Sequence, residues 1–475
     1  MSTSAPNHTQ LAIIGAGPAG YPAAFHAAAR GLNVTLIDPR PNPGGVCLYA
    51  GCVPSKALLH VAGVLQELEM APNWGVHLEN LRIDLEQLRT WKDAVVNRLT
   101  RGLGQLCRQR KVSYIQGTAR FRDNHSLEVS PKDADTYALG FNNAIIATGS
   151  IPVRSAGLGE NSRLMTSEQA LDLEEVPERL LVIGGGYIGL ELGQVYAALG
   201  SAVTVVEKLD QLLPGIDRDL VQPLRKHLNR QFAAIYLQTE VTAIESADNA
   251  LKCHFQAANS PSPEPAIFNR VMLAIGRRPN TDGIALENTD VKLDAHGFIQ
   301  VNTRRQTTVE HIYAIGDVAG EPMLAHKATH EARVAVEALS GAKTAFAPRA
   351  IPAVVFSNPE IAWCGLSERE AREQQRPIVI KHFPWSASGR ATTLDRTDGL
   401  TKLILNPEDG RVLGLGITGV NAGELIGQGV MALEMGAVAE DLALMIQAHP
   451  TLSETIMEVG AAFVEQSIHY AGSSG

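Results

Sequence analysis

The most regular feature of the hydrophobic pattern is a unit that occurs twice. Leu11-Ala-Ile-Ile14 is a short apolar run, the kind a strand covered on both faces carries. It is followed by Gly15-x-Gly17-x-x-Gly20, an Ala-rich helical stretch, and a second apolar run, Val34-Thr-Leu-Ile37, ending at Asp38. The second copy begins at Leu180-Leu-Val-Ile183 and continues through Gly184-x-Gly186-x-x-Gly189 and a helical stretch. It closes with Val203-Thr-Val-Val206 at Glu207, at the same glycine-to-acid spacing. Each copy predicts strand, tight turn, helix and strand, the βαβ dinucleotide fingerprint. The first glycine permits the turn, the second lets the backbone approach a pyrophosphate, and the third lets helix and strand pack closely. The helix N-terminus offers free N–H groups and partial positive charge to phosphates. The closing acid can accept ribose hydroxyls. One such glycine motif is weak evidence, but two in register are strong. Glu207 would repel the 2′-phosphate of NADP and so favours NAD, although Lys208 beside it acts the other way.

The run from Leu11 to Ala29 contains no charged residue and is long enough to imitate a membrane span. Its glycines and prolines fit strand, turn and helix start better. Pro22 falls early in that helix, where a missing N–H is tolerated only near the N-terminus. Asn143-Ala-Ile-Ile-Ala-Thr-Gly149 and Val271-Met-Leu-Ala-Ile-Gly276 each predict a strand running into a glycine turn. A similar turn ends Ile312-Tyr-Ala-Ile-Gly316-Asp317. Ser260–Pro265 reads as a hairpin loop, and the tail Ala471–Gly475 as disordered.

A length of 475 residues suggests three or four domains. The net charge of −9, without basic runs, argues against nucleic acid or an anionic membrane as partner. The N-terminal MSTSAPNHTQ carries no Lys or Arg, so neither a secretory signal nor a mitochondrial presequence is expected. The expectation is a soluble, cytoplasmic protein. Five cysteines rule out a disulfide scaffold.

Two of the five, Cys47 and Cys52, stand close together in Gly44-Gly45-Val46-Cys47-Leu-Tyr49-Ala-Gly51-Cys52-Val-Pro54-Ser-Lys56, before an apolar helical run. They can be read as buried free thiols, like Cys107, Cys253 and Cys364. Zinc lacks partner ligands at finger spacing, and no metal site is expected. A redox disulfide fits an intracellular chain better. Cys52 is predicted to open a helix, whose N-terminus lowers a thiol's pKa and would let the thiolate donate to a stacked ring. Near the end, His449-Pro450-Thr451-Leu-Ser-Glu454 offers an imidazole and a carboxylate suited to proton transfer. Thr451-x-x-Glu454 also reads as a capping box, and a lone His before Pro as a turn residue.

The run GGVCLYAGCVPSKALLH resembles the active-site signature of the FAD-dependent pyridine nucleotide–disulfide oxidoreductases. Nearly the whole chain follows that family's order of motifs. It is most similar to the members that oxidise dihydrolipoamide on carrier domains of 2-oxo-acid dehydrogenase or glycine-cleavage complexes. The resemblance implies FAD on the first glycine unit and NAD on the second. Gly45, Gly149, Gly276, Asp317, Met323 and Ala325 would join the glycines and acids at the cofactors. Cys47 would be the exposed thiol that meets substrate, Cys52 the thiol against the flavin, and Lys56 would pair with Glu191. His449 would be the base and Glu454 its orienter, in a homodimer that docks lipoyl carrier domains and a peripheral-subunit-binding domain. Tyr49 departs from the family's usual Asn, and Asp38 from its commoner Glu.

The expected fold is therefore α/β, with two Rossmann-like dinucleotide-binding domains and a C-terminal α+β dimerisation domain. The expected boundaries are 1–151 for FAD, 152–278 for NAD, 279–350 for a central segment completing the FAD site, and 351–475 for the interface. A glutathione reductase-like enzyme would show basic residues after the second unit, and a mercuric reductase-like one a cysteine pair after Cys364. A soluble transhydrogenase-like enzyme would lack the Cys47–Cys52 pair. A non-catalytic docking flavoprotein is the rival from another class.

Overall fold

The computed structural model describes residues 8–154 and 161–470, so the tail expected to be disordered lies outside the described residues. The first repeat forms strand His8–Ile14, helix Gly20–Ala29 and strand Val34–Asp38. The two strands pair in parallel, Ile14 opposite Ile37. The charge-free run is thus strand, turn and helix. Pro22 is the third helical residue, where the N–H has no intrahelical partner to lose.

Two long strands of this unit each change from parallel to antiparallel pairing within one six-stranded sheet. Ser113–Asp123 begins parallel to Val34–Asp38 and then turns into an antiparallel pair with Ser126–Pro131. Tyr137–Ile146 begins in that antiparallel meander and ends parallel to His8–Ile14. A helical run from Gly45 to Trp74 is long and apolar enough by composition to cross a membrane. Its main part, helix Cys52–Met70, packs against helices Tyr187–Ala198 and Leu85–Gln109.

The second repeat builds strand Arg179–Ile183, helix Tyr187–Ala198 and strand Ala202–Val206 within a five-stranded parallel sheet. Beside it lies an antiparallel sheet of Thr239–Ala247, Ala250–Ala257 and Ala266–Phe268. The Pro-rich stretch Ser260–Pro265 is the connection between the last two strands. The strands of both parallel sheets are almost continuously buried, hence their unbroken apolar runs.

The segment expected at 279–350 adds to the first sheet. Its strand Ile312–Ala314 pairs in parallel with Tyr137–Ile146, and its helix Ala325–Leu339 packs on helix Gly20–Ala29. The C-terminal unit is a five-stranded antiparallel sheet covered by helices Ala422–Met435 and Glu454–Phe463. Lys402, 1% exposed, ties this unit to the second. Its ammonium contacts Asp217, Asp219 and Glu368. That cation accounts for the carboxylate cluster.

Candidate active site

The first glycine loop and the cysteine turn are bolted together backbone to backbone. Gly45 has φ +57°, and a Cβ there would lie 2.5 Å from the Cα of Gly17. The Gly44 N–H donates to the carbonyl of Ala16 at 2.8 Å. Close glycine-to-glycine contact thus places Cys47 and Cys52 beside the turn where a pyrophosphate would bind. Gly20 works differently: its Cβ would strike the Gly15 carbonyl at 1.8 Å, so its role is helix–strand packing.

Both closing acids brace their own glycine loops. Asp38 accepts the N–H groups of Ala16 (2.7 Å) and Arg40 (2.9 Å), and burial pushes its carboxyl up. Glu207 accepts those of Gly185 (2.7 Å) and Leu209 (2.8 Å). Each oxygen keeps a second lone pair for a ribose hydroxyl. Lys208 turns outward to Glu240 at 3.0 Å. In the second loop, Gly184 has φ +109°, while a Cβ on Gly186 would meet nothing within 4 Å, leaving that backbone open to a phosphate. Gly189 packs its helix against Gly184.

A cavity of about 550 Å³ opens over the first loop. Its wall includes Gly15, Gly17, Asp38, Gly45, Cys47 and Cys52. Lys56 and Gly149 add to it from the same unit, Glu191 from the second, and Gly316, Asp317, Met323 and Ala325 from the segment expected at 279–350. Gly184, Gly186, Gly189, Glu207 and Gly276 lie outside this wall. One sequence feature, a single dinucleotide fold, therefore leads to a pocket to which distant segments contribute.

Cys47 sits in the short helix Gly45–Ala50, and Cys52 is the first residue of helix Cys52–Met70. All five cysteines are free, and the Cys47 and Cys52 thiols lie close enough to shift one another's ionisation. The neighbouring Cys47 thiol and the nearby Lys56 ammonium overcome burial and bring the Cys52 thiol down to about 7 from its ordinary 9.0. The same pairing, with burial, pushes Cys47 up. The two thiols are thus split into one that ionises readily and one that keeps its proton. Both line the cavity wall, Cys52 exposed there and Cys47 half-buried beside it.

Lys56 lies one turn beyond Cys52 on the same helix face. Its Nζ donates to Glu191 Oε2 at 2.8 Å, and Glu191 is 3% exposed on the second glycine helix. The ion pair expected from the family likeness is present and links two units. Tyr49 is outside the cavity wall. Its hydroxyl bonds the backbone of Asn42, and the Arg40 guanidinium lies 5.1 Å from its ring.

The segments between units clamp one another. Strand Ser150–Pro152 pairs with Arg277–Pro279. Arg277 Nε donates to Ser150 Oγ at 2.8 Å, and Ser150 Oγ donates to Asp317 at 2.6 Å. The Asp317 turn is also fixed from behind by Glu331, which is fully buried. Glu331 accepts the Gly316 N–H (2.7 Å) and pairs with Arg305 (2.8 Å) and Lys327 (3.1 Å). Lys327 in turn donates to the Gly320 carbonyl. Sequence reasoning missed this trio. The signal was Glu331 standing four residues beyond Lys327 among buried alanines, where an unpaired carboxylate would not survive.

At the C-terminal unit, His449 Nδ1 lies 2.8 Å from Glu454 Oε1, and the Thr451 N–H donates to Oε2 at 2.8 Å. Burial raises the Glu454 carboxyl, but the bonds from His449 and Thr451 outweigh it and hold it below its usual range. Of the capping box expected at Thr451-x-x-Glu454, the Glu454 arm is formed, satisfying the Thr451 N–H, and the threonine hydroxyl arm is not. The helix starts at Glu454 itself, with Ser453 before it, and the Thr451 hydroxyl donates to the Ala448 carbonyl. Glu454 therefore orients the imidazole and the turn ahead of the helix. The His449 side chain is 73% exposed and outside the cavity wall. Leu444, Ile446, Met431 and Met435 of the same unit are also exposed.

Comparison with known proteins agrees with this geometry. The pyridine nucleotide-disulphide oxidoreductase family matches residues 9–332, and its dimerisation domain matches residues 351–459. The chain is 44% identical to a dihydrolipoyl dehydrogenase of Haemophilus influenzae, over 94% of this chain and 93% of that one. It is 43% identical to a dihydrolipoyl dehydrogenase of Thermus scotoductus, over 97% and 98%. Among solved structures it is similar to LpdA of Mycobacterium tuberculosis, with TM-score 0.88 and 26% identity over 96% and 99% of the two chains. The HOCl-induced flavoprotein disulfide reductase RclA of Escherichia coli gives TM-score 0.84 and 28% identity over 95% and 99%. Two glycine units, a dithiol in the cavity of the first, and family matches that span nearly the whole chain make this chain a member of the pyridine nucleotide-disulphide oxidoreductase family.

Proposed function

We propose that this oxidoreductase takes two electrons from dihydrolipoamide on a carrier domain and delivers them to NAD. The observation that carries the reading is the adjoining Cys47–Cys52 pair on the wall of the first glycine loop's cavity, with Cys52 opening a helix there. The residues present fit FAD. The Gly17 turn leaves backbone free for a pyrophosphate, Asp38 stands at the strand end for a ribose, and Asp317 closes the far side. When bound there, FAD supplies the two-electron relay between dithiol and nicotinamide. Glu207 and the open Gly186 backbone suit NAD in the second unit, and disfavour an NADP-linked, glutathione reductase-like reading.

The chain's own steps follow from the split thiols. One thiolate of dihydrolipoamide attacks Cys47 of the Cys47–Cys52 disulfide, and Cys52 leaves as thiolate beside Lys56. The second lipoyl thiol gives its proton to His449 and attacks the mixed disulfide. Lipoamide leaves as its disulfide, and Cys47 takes a proton. Because His449 is off the wall of its own cavity, each dithiol would work with the imidazole of the other protomer in a homodimer. The exposed apolar residues of the C-terminal unit suit such an interface. A dithiol that must cycle suits the reducing cytoplasm. Lipoyl carrier domains and a peripheral-subunit-binding domain of a 2-oxo-acid dehydrogenase or glycine-cleavage complex would be its partners.

The direct test is NADH formation from dihydrolipoamide by the purified, FAD-loaded protein. A robust rate is expected, and a zero rate would favour a docking role. Glu331→Gln tests the brace behind Asp317. It strands the Arg305 and Lys327 charges, and breaking such a buried pair costs about 3–5 kcal/mol. The melting temperature and the flavin retained after dialysis should both fall. Parental retention would remove Glu331 from the FAD site.

A further inference from the structure

The Lys56–Glu191 pair has a third member. Glu191 Oε2 takes the Lys56 ammonium at 2.8 Å, and Oε1 accepts the Phe356 N–H at 2.9 Å. The ring of the same residue faces the other charge: Lys56 Nζ lies 4.6 Å from the Phe356 ring centroid. Phe356 thus touches both partners, the anion through its backbone and the cation through its ring. It follows strand Ala353–Val355 of the C-terminal unit, so all three units of the chain meet at one ion pair. Behind the ring is Gly423, where an added Cβ would sit 3.7 Å from Phe356 Cε1.

We infer that Phe356 is a positioning residue for the dithiol chemistry, its ring holding the Lys56 ammonium on the Cys52 side of the cavity. The inference rests on the proposed function. Lysine is a flexible stem with a strongly hydrated head, and the Lys56 side chain is 32% exposed. Without a retaining contact its ammonium can swing to water. An aromatic face attracts the cation where a carboxylate alone leaves it free to rotate. The charged and titratable groups around Cys52 are Cys47, Lys56 and Glu191, with Tyr187 on the second glycine helix. Glu360, from strand Glu360–Gly365, faces Glu191. Lys56 is the cation of this set, so its distance from Cys52 decides how readily the thiolate forms.

The test uses FAD-loaded enzyme reduced anaerobically by dihydrolipoamide, with long-wavelength thiolate–flavin absorbance followed against pH. Phe356→Leu should move the midpoint upward by about half to one pH unit, the range a cation–π contact supports. Phe356→Tyr, which keeps the ring, should retain the parental midpoint. Lys56→Met should raise it at least as far as Phe356→Leu. A parental midpoint in Phe356→Leu, beside a raised one in Lys56→Met, overturns the inference. So does a Phe356→Leu protein that melts early but keeps its midpoint, for then the ring only packs. A parent with no such absorbance overturns the functional reading, and this inference with it.

Discussion

Replacing Cys52 by Ser abolishes both turnover and the long-wavelength absorbance of the reduced enzyme. The absorbance needs an ionised sulfur against the flavin, and Cys52 is the thiol whose ionisation the site favours. Cys47→Ser should behave differently. It removes the disulfide and hence turnover, but leaves Cys52 on the cavity wall, so the absorbance survives. Both variants should lose at least about three orders of magnitude in rate, the scale of removing a nucleophile from a unit that acts together. In the parent the absorbance should grow as pH rises through about 7, because there the lowered thiol becomes thiolate, and fade below it. A midpoint near the ordinary 9.0 would contradict the assigned environment. Anaerobic titration of the three proteins reads all of these outcomes.

His449→Gln lowers turnover by about 10²–10⁴-fold, the usual contribution of a positioned acid–base group. Glu454→Gln should lower turnover less, because the imidazole remains but loses the carboxylate bonded to Nδ1. Its stability should change little, since a Gln side-chain oxygen can still accept the Thr451 N–H. A large stability loss with normal turnover would assign Glu454 to the turn alone. The same residues test where the site lies. If each dithiol uses the other protomer's imidazole, mixing Cys52→Ser with His449→Gln chains restores activity. The mixed dimer then holds one complete site with intact Cys52 and His449, and one that lacks both. Absence of recovery in verified mixed dimers would place His449 with the thiols of its own chain.

Short-range spacing carried much of this protein. Strand, glycine turn, helix and acid recur within one stretch of chain, because the βαβ geometry demands those residues at those offsets whatever surrounds them. The cysteine pair, its helix start and Lys56 one turn on were legible for the same reason. So was Pro22, whose cost depends only on its place in the helix. At Thr451 only the Glu454 half of the capping pattern is used, because the same sequence can form a turn ahead of the helix, and local pattern does not choose between the two.

What lay beyond the sequence were the partners of buried charges. Lys56 and Glu191 stand 135 residues apart, and only family likeness paired them before the fold did. Glu331 behind Asp317, Phe356 against Lys56, and Lys402 among three carboxylates carried no such hint. Nor did the double duty of Asp38 and Glu207, which brace the loops they close. A backbone turn is dictated by its own residues, whereas a buried charge takes whatever opposite charge or N–H the packed units bring within about 3 Å of it. The chain's local order therefore set the two nucleotide units and the dithiol. The docking of three units decided how those sulfurs are held and charged.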